Sequence, residues 1–90
     1  MDIFIYFYAP LGQPLDVVED ALDEALEGRG EVTGTGIGPR GSNYDVEIFE
    51  AGDPEAYLRE IREVLREAGA PGEGEIVIDG ESHPIDPDGA

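Results

Sequence analysis

The chain has no cysteine and no lysine, and it holds a single histidine. Without cysteine there is no disulfide staple, no thiolate chemistry and no cysteine-ligated zinc, which suits a reducing compartment. Without lysine, the 5 basic residues are all arginine, set against 22 Asp and Glu, for a net charge of −17. Such a surface repels phosphate backbones and anionic headgroups, which argues against nucleic acid and membrane surfaces as partners. No run approaches the ~18 apolar residues of a membrane span. The N-terminus lacks the basic flank and small-residue cleavage site of a signal peptide. The expectation is a soluble, cytoplasmic protein.

Ninety residues make one domain, burying roughly 60–65% of the unfolded surface, so the core is modest. The domain is expected over residues 1–85, with 86–90 as a flexible acidic tail. Its organising element is Ile3-Phe4-Ile5-Tyr6-Phe7-Tyr8, apolar or aromatic on both faces, as a central strand requires. Pro14 suits the first turn of a helix. Leu15, Val18, Ala21, Leu22, Ala25 and Leu26 recur at helical spacing, and Gly28 stops the run, which predicts a helix over 14–27. Residues 32–37 read as a strand diluted by Gly34 and Gly36, which share one face and invite close approach by a neighbour, either an aromatic ring of the first strand or another chain. A five-residue loop over 38–42 then leads to a strand over 43–50 that sets Tyr44, Val46 and Ile48 against Asp45 and Glu47. Asp53-Pro54 caps a second helix, with Tyr57, Leu58, Ile61, Val64, Leu65 and Ala68 as its stripe and Gly69 as its stop. Ile76-Val77-Ile78 is a last short strand, and Asp79-Gly80 is a tight-turn signal that folds Ser82–Ile85 back as a minor strand.

The order β-α-β-β-α-β, with right-handed crossovers, gives an α+β fold of ferredoxin-like type. It predicts a four-stranded antiparallel sheet with both helices on one face, the first and third strands central, and an extra C-terminal hairpin strand. One face of the first strand must remain open. Phenols tolerate partial exposure, so Phe4, Tyr6 and Tyr8 are expected to point away from the helices. Tyr6, Tyr8 and Phe49, with Arg40 at the hairpin tip, are candidate interface residues, and a homodimer through this face is left open.

The sharper signal is charge placement. Asp16, Glu19, Asp20, Asp23, Glu24 and Glu27 line the outer face of the first helix with no base among them. Their i,i+4 repulsion costs a few tenths of a kcal/mol per pair. The second helix interleaves arginines, with Glu55/Arg59, Arg59/Glu63 and Glu63/Arg66 at complementary spacing. An acidic strip steers a basic partner; solvation of an acidic proteome is the competing explanation. No catalytic, cofactor or metal signature stands out. Gly36-Ile37-Gly38-Pro39-Arg40-Gly41 matches G-x-G-x-x-G by letter, but a strand follows it, so no helix N-terminus is there to hold phosphate. His83 lacks a second ligand or a nucleophile with a motif and reads as a surface or loop residue. Asp86-x-Asp88-Gly89 opens like a calcium loop, but the remaining ligands do not follow.

Gly30-Glu31-Val32-Thr33-Gly34-x-Gly36, Tyr44-Asp45-Val46-Glu47-Ile48 and Ala68-Gly69-Ala70-Pro71-Gly72 before Ile76-Val77-Ile78 give the chain a resemblance, over residues 1–79, to small bacterial βαββαβ proteins. Several of these are regarded as immunity proteins of polymorphic toxin systems. The resemblance implies a non-enzymatic inhibitor of a cognate toxin and carries no contact residue over. The leading expectation is an acidic binding protein, of immunity type, that covers a basic toxin such as a nuclease. The alternatives are an assembly module dimerising through the open sheet face and a small dimeric ferredoxin-like enzyme with a carboxylate or His83 as base.

Overall fold

The computed structural model describes residues 1–39 and 41–87. Seven elements follow one another: β1 (Asp2–Phe7), α1 (Leu15–Ala25), β2 (Gly30–Gly38), β3 (Gly41–Ile48), α2 (Pro54–Glu67), β4 (Gly74–Ile78) and β5 (Glu81–Pro84). The fold is α+β, with two helices and a five-stranded antiparallel sheet in the order β2-β3-β1-β4-β5. It is compatible with the ferredoxin-like arrangement expected, with β1 and β3 both interior.

The fifth strand changes the edges. A four-stranded sheet would leave β4 at one edge, whereas here it lies between β1 and β5. The cause is local: Asp79 and Gly80 have φ of 52° and 80°, the pair of left-handed residues that a tight two-residue hairpin needs, so Ile78 pairs with Glu81. Pairing between β2 and β3 also runs further than the expected loop allows, out to Gly38 opposite Gly41, where neither residue has a side chain to oppose the other.

The strand alternation sorts the sheet into two faces. Ile3, Ile5 and Phe7 of β1, Tyr44, Val46 and Ile48 of β3, and Ile76 and Ile78 of β4 are buried in one apolar cluster with Val18, Leu22 and Leu26 and with Leu58, Ile61 and Leu65. Both helices therefore cover the same face. Phe7 and Tyr44 meet edge to face at 6.0 Å. Ile85 closes the cluster beyond β5, donating its N–H to the Gly74 carbonyl at 3.2 Å.

A register shift between Val32 and Gly34 marks a bulge at Thr33. Val32 pairs with Val46 on the covered face, and after the bulge Gly34 and Gly36 pair with Asp45 and Asn43 on the open one. Within the chain, the neighbour that closes on these glycines is not an aromatic ring of β1. A Cβ on Gly36 would stand 2.5 Å from Asn43 Oδ1, and one on Gly34 would stand 3.2 Å from Asp45 Oδ2. The glycines make room for the polar side chains of β3.

The register also collects the β1–α1 loop, the β2–β3 turn and the α2–β4 loop at one end of the sheet. There Gln13 Nε2 donates to the Ala68 carbonyl at 2.7 Å. Residues 8–14 contain no charged side chain, and residues 69–74 contain only Glu73.

Candidate interaction surfaces

α1 is shorter than its sequence pattern. Pro14 stands at the N-cap with φ −59° and ψ 147°, outside the helix, and Leu26 is the C-cap. Glu27 thus lies in the turn rather than on the helix, because the chain unwinds after Leu26 toward Gly28 at φ +80°. Asp16, Asp20, Glu24 and Glu27 are exposed, and Glu19 and Asp23 are half-buried. None of the six forms an ion pair among the described residues.

Asp23 has a different task from its neighbours. Its Oδ1 accepts the Val32 N–H at 2.8 Å, immediately before the bulge on the edge strand. That N–H would otherwise be a free donor at the sheet edge. Asp23 therefore belongs to the fold, and it leaves the set of carboxylates available to a partner. Glu19 and Asp16 stand near the Tyr44 hydroxyl, which donates to the Leu15 carbonyl at 2.8 Å. Burial first, then the charges of Glu19 and Asp16, push the Tyr44 hydroxyl up to about 12. The sheet thus grips the first turn of α1 from below.

Arg29 plays a role that sequence reading did not assign. Its Nη1 and Nη2 donate to Glu60 Oε1 and Oε2 of α2 at 2.9 and 2.7 Å, and Nη2 also donates to the Ala25 carbonyl at 2.7 Å. The guanidinium lies 5.7 Å from the centroid of Tyr57. Its own carbonyl accepts the N–H groups of Phe49 and Glu50. One arginine thus joins the end of α1 to α2 and to the segment just after β3. The available signal was its place four residues after Ala25, within reach of a helix-end carbonyl. On α2 itself, the Glu63/Arg66 pair closes at 3.6 Å, and the expected Glu55/Arg59 and Arg59/Glu63 pairs do not come within 4.0 Å. Arg62 turns instead to β5, donating through Nε and Nη2 to the Pro84 carbonyl at 3.1 and 2.7 Å.

The open face carries Phe4 and Tyr6, both half-buried, and Tyr8, which is 60% exposed. The tyrosine set faces away from the helices as expected. Tyr6 lies between Asn43 and Glu75, and Phe4 between Asp45 and Val77. Glu75 is held in place: Tyr8 Oη donates to its Oε1 at 2.7 Å, and Ser82 Oγ donates to its Oε2. The Ser82 hydrogen bond, then that of Tyr8, holds the Glu75 carboxyl below the usual range, and the bond to Glu75 raises the Tyr8 hydroxyl. A shallow depression of about 450 Å³ runs beside Tyr6 and Tyr8 over Gly36 and Asn43. The charged residues that the register assigns to this face are Asp2, Glu31, Asp45, Glu47 and Glu75, all carboxylates.

Phe49 is 59% exposed but sits beyond Ile48, past the opposite end of β3 from the turn beside Tyr8. The structure does not bring it to Tyr6 and Tyr8; roughly 25 Å of strand separates the two ends. Arg40 lies outside the described residues, as does Asp88 of the tail. His83 stands on β5 rather than in a loop, half-buried opposite Ile76, with Nε2 4.0 Å from a Glu81 carboxylate oxygen. Among the described residues no three metal-ligating side chains converge. Ser42 Oγ is buried and finds no hydrogen-bond partner among the described residues. No protein-family model matches the chain, and neither a curated protein nor a solved structure shows significant similarity to it.

Proposed function

We propose that the protein is a non-enzymatic acidic binder that engages a basic protein partner, in the manner of an immunity protein covering a basic toxin such as a nuclease, and that it works in the cytoplasm. The observation that supports this is the contrast in charge pairing between the helices. The carboxylates of α1 have no arginine partner among the described residues, while Glu60 and Glu63 of α2 are paired. Like charges at i,i+4 work against α1 as a helix, and a contact with Lys and Arg gives the carboxylates other than Asp23 a use. Asp16, Asp20, Glu24 and Glu27 are the exposed members that meet the partner, and Glu19 adds its field from the flank. The fold that presents them reads as ferredoxin-like with one strand appended after β4.

The alternative of a homodimer through the open face is disfavoured by Asp2, Asp45, Glu47 and Glu75. Two copies placed face to face would set these carboxylates against one another. The test of the main reading begins with affinity capture from native lysate under low-salt and high-salt washes. Association of the captured basic protein is then followed with wild type and with Asp16→Asn/Asp20→Asn/Glu24→Gln/Glu27→Gln. The expected outcome is an unchanged circular dichroism spectrum and an association rate at low salt reduced on the order of tenfold or more. An unchanged rate refutes the reading.

A further inference from the structure

The two edges of the sheet are finished differently. An edge strand offers unpaired N–H and C=O groups, and proteins blunt such edges with short strands, charge or proline. β5 is blunted in all three ways. It runs only over Glu81–Pro84, carries Glu81 and ends in Pro84, whose carbonyl Arg62 occupies. β2 runs over nine residues, Gly30–Gly38, and from Val32 to Gly38 it holds neither a charged side chain nor a proline.

The hydrogen bonds show which backbone groups of β2 face outward. Gly30 donates its N–H to the Leu26 carbonyl at 2.9 Å, and Val32 donates to Asp23 Oδ1 at 2.8 Å, so both turn away from their β3 partners, Ile48 and Val46. In an antiparallel ladder every second residue behaves in this way. Counting along β3 from Ile48 and Val46 leads to Tyr44 and Ser42, whose partners are Thr35 and Ile37. Thr35 and Ile37 therefore also direct N–H and C=O outward. α1 satisfies the Gly30 and Val32 donors; those of Thr35 and Ile37 have no partner among the described residues, and both side chains are exposed. The acidic helix borders this edge. Asp23 reaches it at Val32, and the bond from Tyr44 Oη to the Leu15 carbonyl sets the first turn of α1 at the level of Thr35.

From this placement we propose that β2 receives a sixth strand, an extended segment of a basic protein that pairs with the backbones of Thr35 and Ile37 and turns Arg and Lys toward the carboxylates of α1. Backbone pairing supplies the docking and the helix supplies the choice of charge. The same arrangement disfavours a second copy as occupant. Two β2 edges joined antiparallel would extend one sheet and bring two α1 helices side by side, with Asp16, Asp20 and Glu24 of each facing like charges.

The inference rests on the partner being basic and deepens that reading, and the test separates the two. The probes are three peptides of equal length: arginine alternating with valine, the same sequence N-methylated on its central residues, and glutamate alternating with valine. They are titrated into labelled wild type, Thr35→Val, Thr35→Pro and the four-site α1 variant, and amide hydrogen exchange is followed. Without peptide, the Thr35 and Ile37 amides are expected to exchange freely. The arginine peptide protects both by tenfold or more, while the N-methylated and glutamate peptides do not. Thr35→Pro removes only an outward N–H and weakens the arginine peptide about three- to tenfold; Thr35→Val, which keeps that N–H, leaves it unchanged. The α1 variant binds more weakly but protects the same two amides at saturation. Where Thr35→Pro changes the fold, the N-methylated peptide carries the test. Binding of the arginine peptide without protection of Thr35 and Ile37 would overturn the proposal and leave the acidic surface of α1 as the contact. Equal binding of the N-methylated peptide, or no binding at all, would overturn it too. So would sedimentation showing a dimer in which both amides are already protected.

Discussion

The two helices pack on the same face of the same sheet and are built in opposite ways. α2 carries its own stabilisation. Asp53 caps it by accepting the Glu55 N–H at 3.1 Å, Pro54 begins it, Arg66 lies in its last turn and pairs with Glu63, and Glu60 is gripped by Arg29. α1 has no side-chain cap and no base in its last turn, and its acids form no ion pair among the described residues. What holds α1 comes from outside it: the burial of Val18 and Leu22, the Tyr44 hydroxyl on its first turn, and the clasp of Arg29 at its end. A helix that forms because the sheet holds it can spend its outer surface on something other than helix stability. That is the physical sense in which the acids of α1 differ from the paired Glu60 and Glu63 of α2.

The contrast can be broken most severely at Leu22, which is fully buried. Leu22→Ala should cost about 3 kcal/mol, and it should free α1 before the rest of the molecule. Hydrogen exchange is expected to show α1 amides losing protection ahead of those of α2; equal loss in both helices would contradict the contrast. A smaller effect comes from alkali. The Tyr44 hydroxyl ionises near 10 in the unfolded chain and at about 12 in the fold. Between these values the unfolded state holds fewer protons, so stability present below pH 10 declines as pH rises toward 12, by roughly 2–3 kcal/mol. Denaturant titrations of wild type and Tyr44→Phe across this window should diverge, with the variant starting lower but declining less. The caps provide the smallest and most direct comparison. Asp53→Ala should destabilise by about 1 kcal/mol. Pro14→Ser should stabilise by about 0.5 kcal/mol, by giving α1 the cap it lacks. Thermal melts of the two variants moving in the same direction would show that the helices are not built differently after all.

Much of the fold could be read from periodicity because both helices and the three inner strands follow their spacing rules closely. Ile3, Ile5 and Phe7 alternate cleanly, and Tyr57, Leu58, Ile61 and Leu65 form a single stripe. The bulge at Thr33 could not be read, since Gly34 and Gly36 just after it erase the alternation that would reveal a register shift. The roles of Asp23 and Arg29 were hidden for a different reason. Both act on backbone groups or helices far along the chain, Val32 for one and Glu60 for the other, and composition shows only an acid among acids and an arginine in a turn. The charge contrast between the helices was legible because it is local. The pairing of Tyr6 with Glu75 was not, because β1 and β4 meet only through the fold.

The loops over residues 8–14 and 69–74, at one end of the sheet, carry only Glu73 as a charged side chain, while Asp2, Glu27, Glu50, Asp53 and Asp79 lie toward the other end. An uneven distribution of the net charge of −17 would give the molecule a dipole with a component along its strands. In the field of a positively charged body the protein would rotate before it touched, acidic end first. Both α1 and the strands of the open face would then point along the line of approach, and the search over orientations would be partly finished at the moment of encounter.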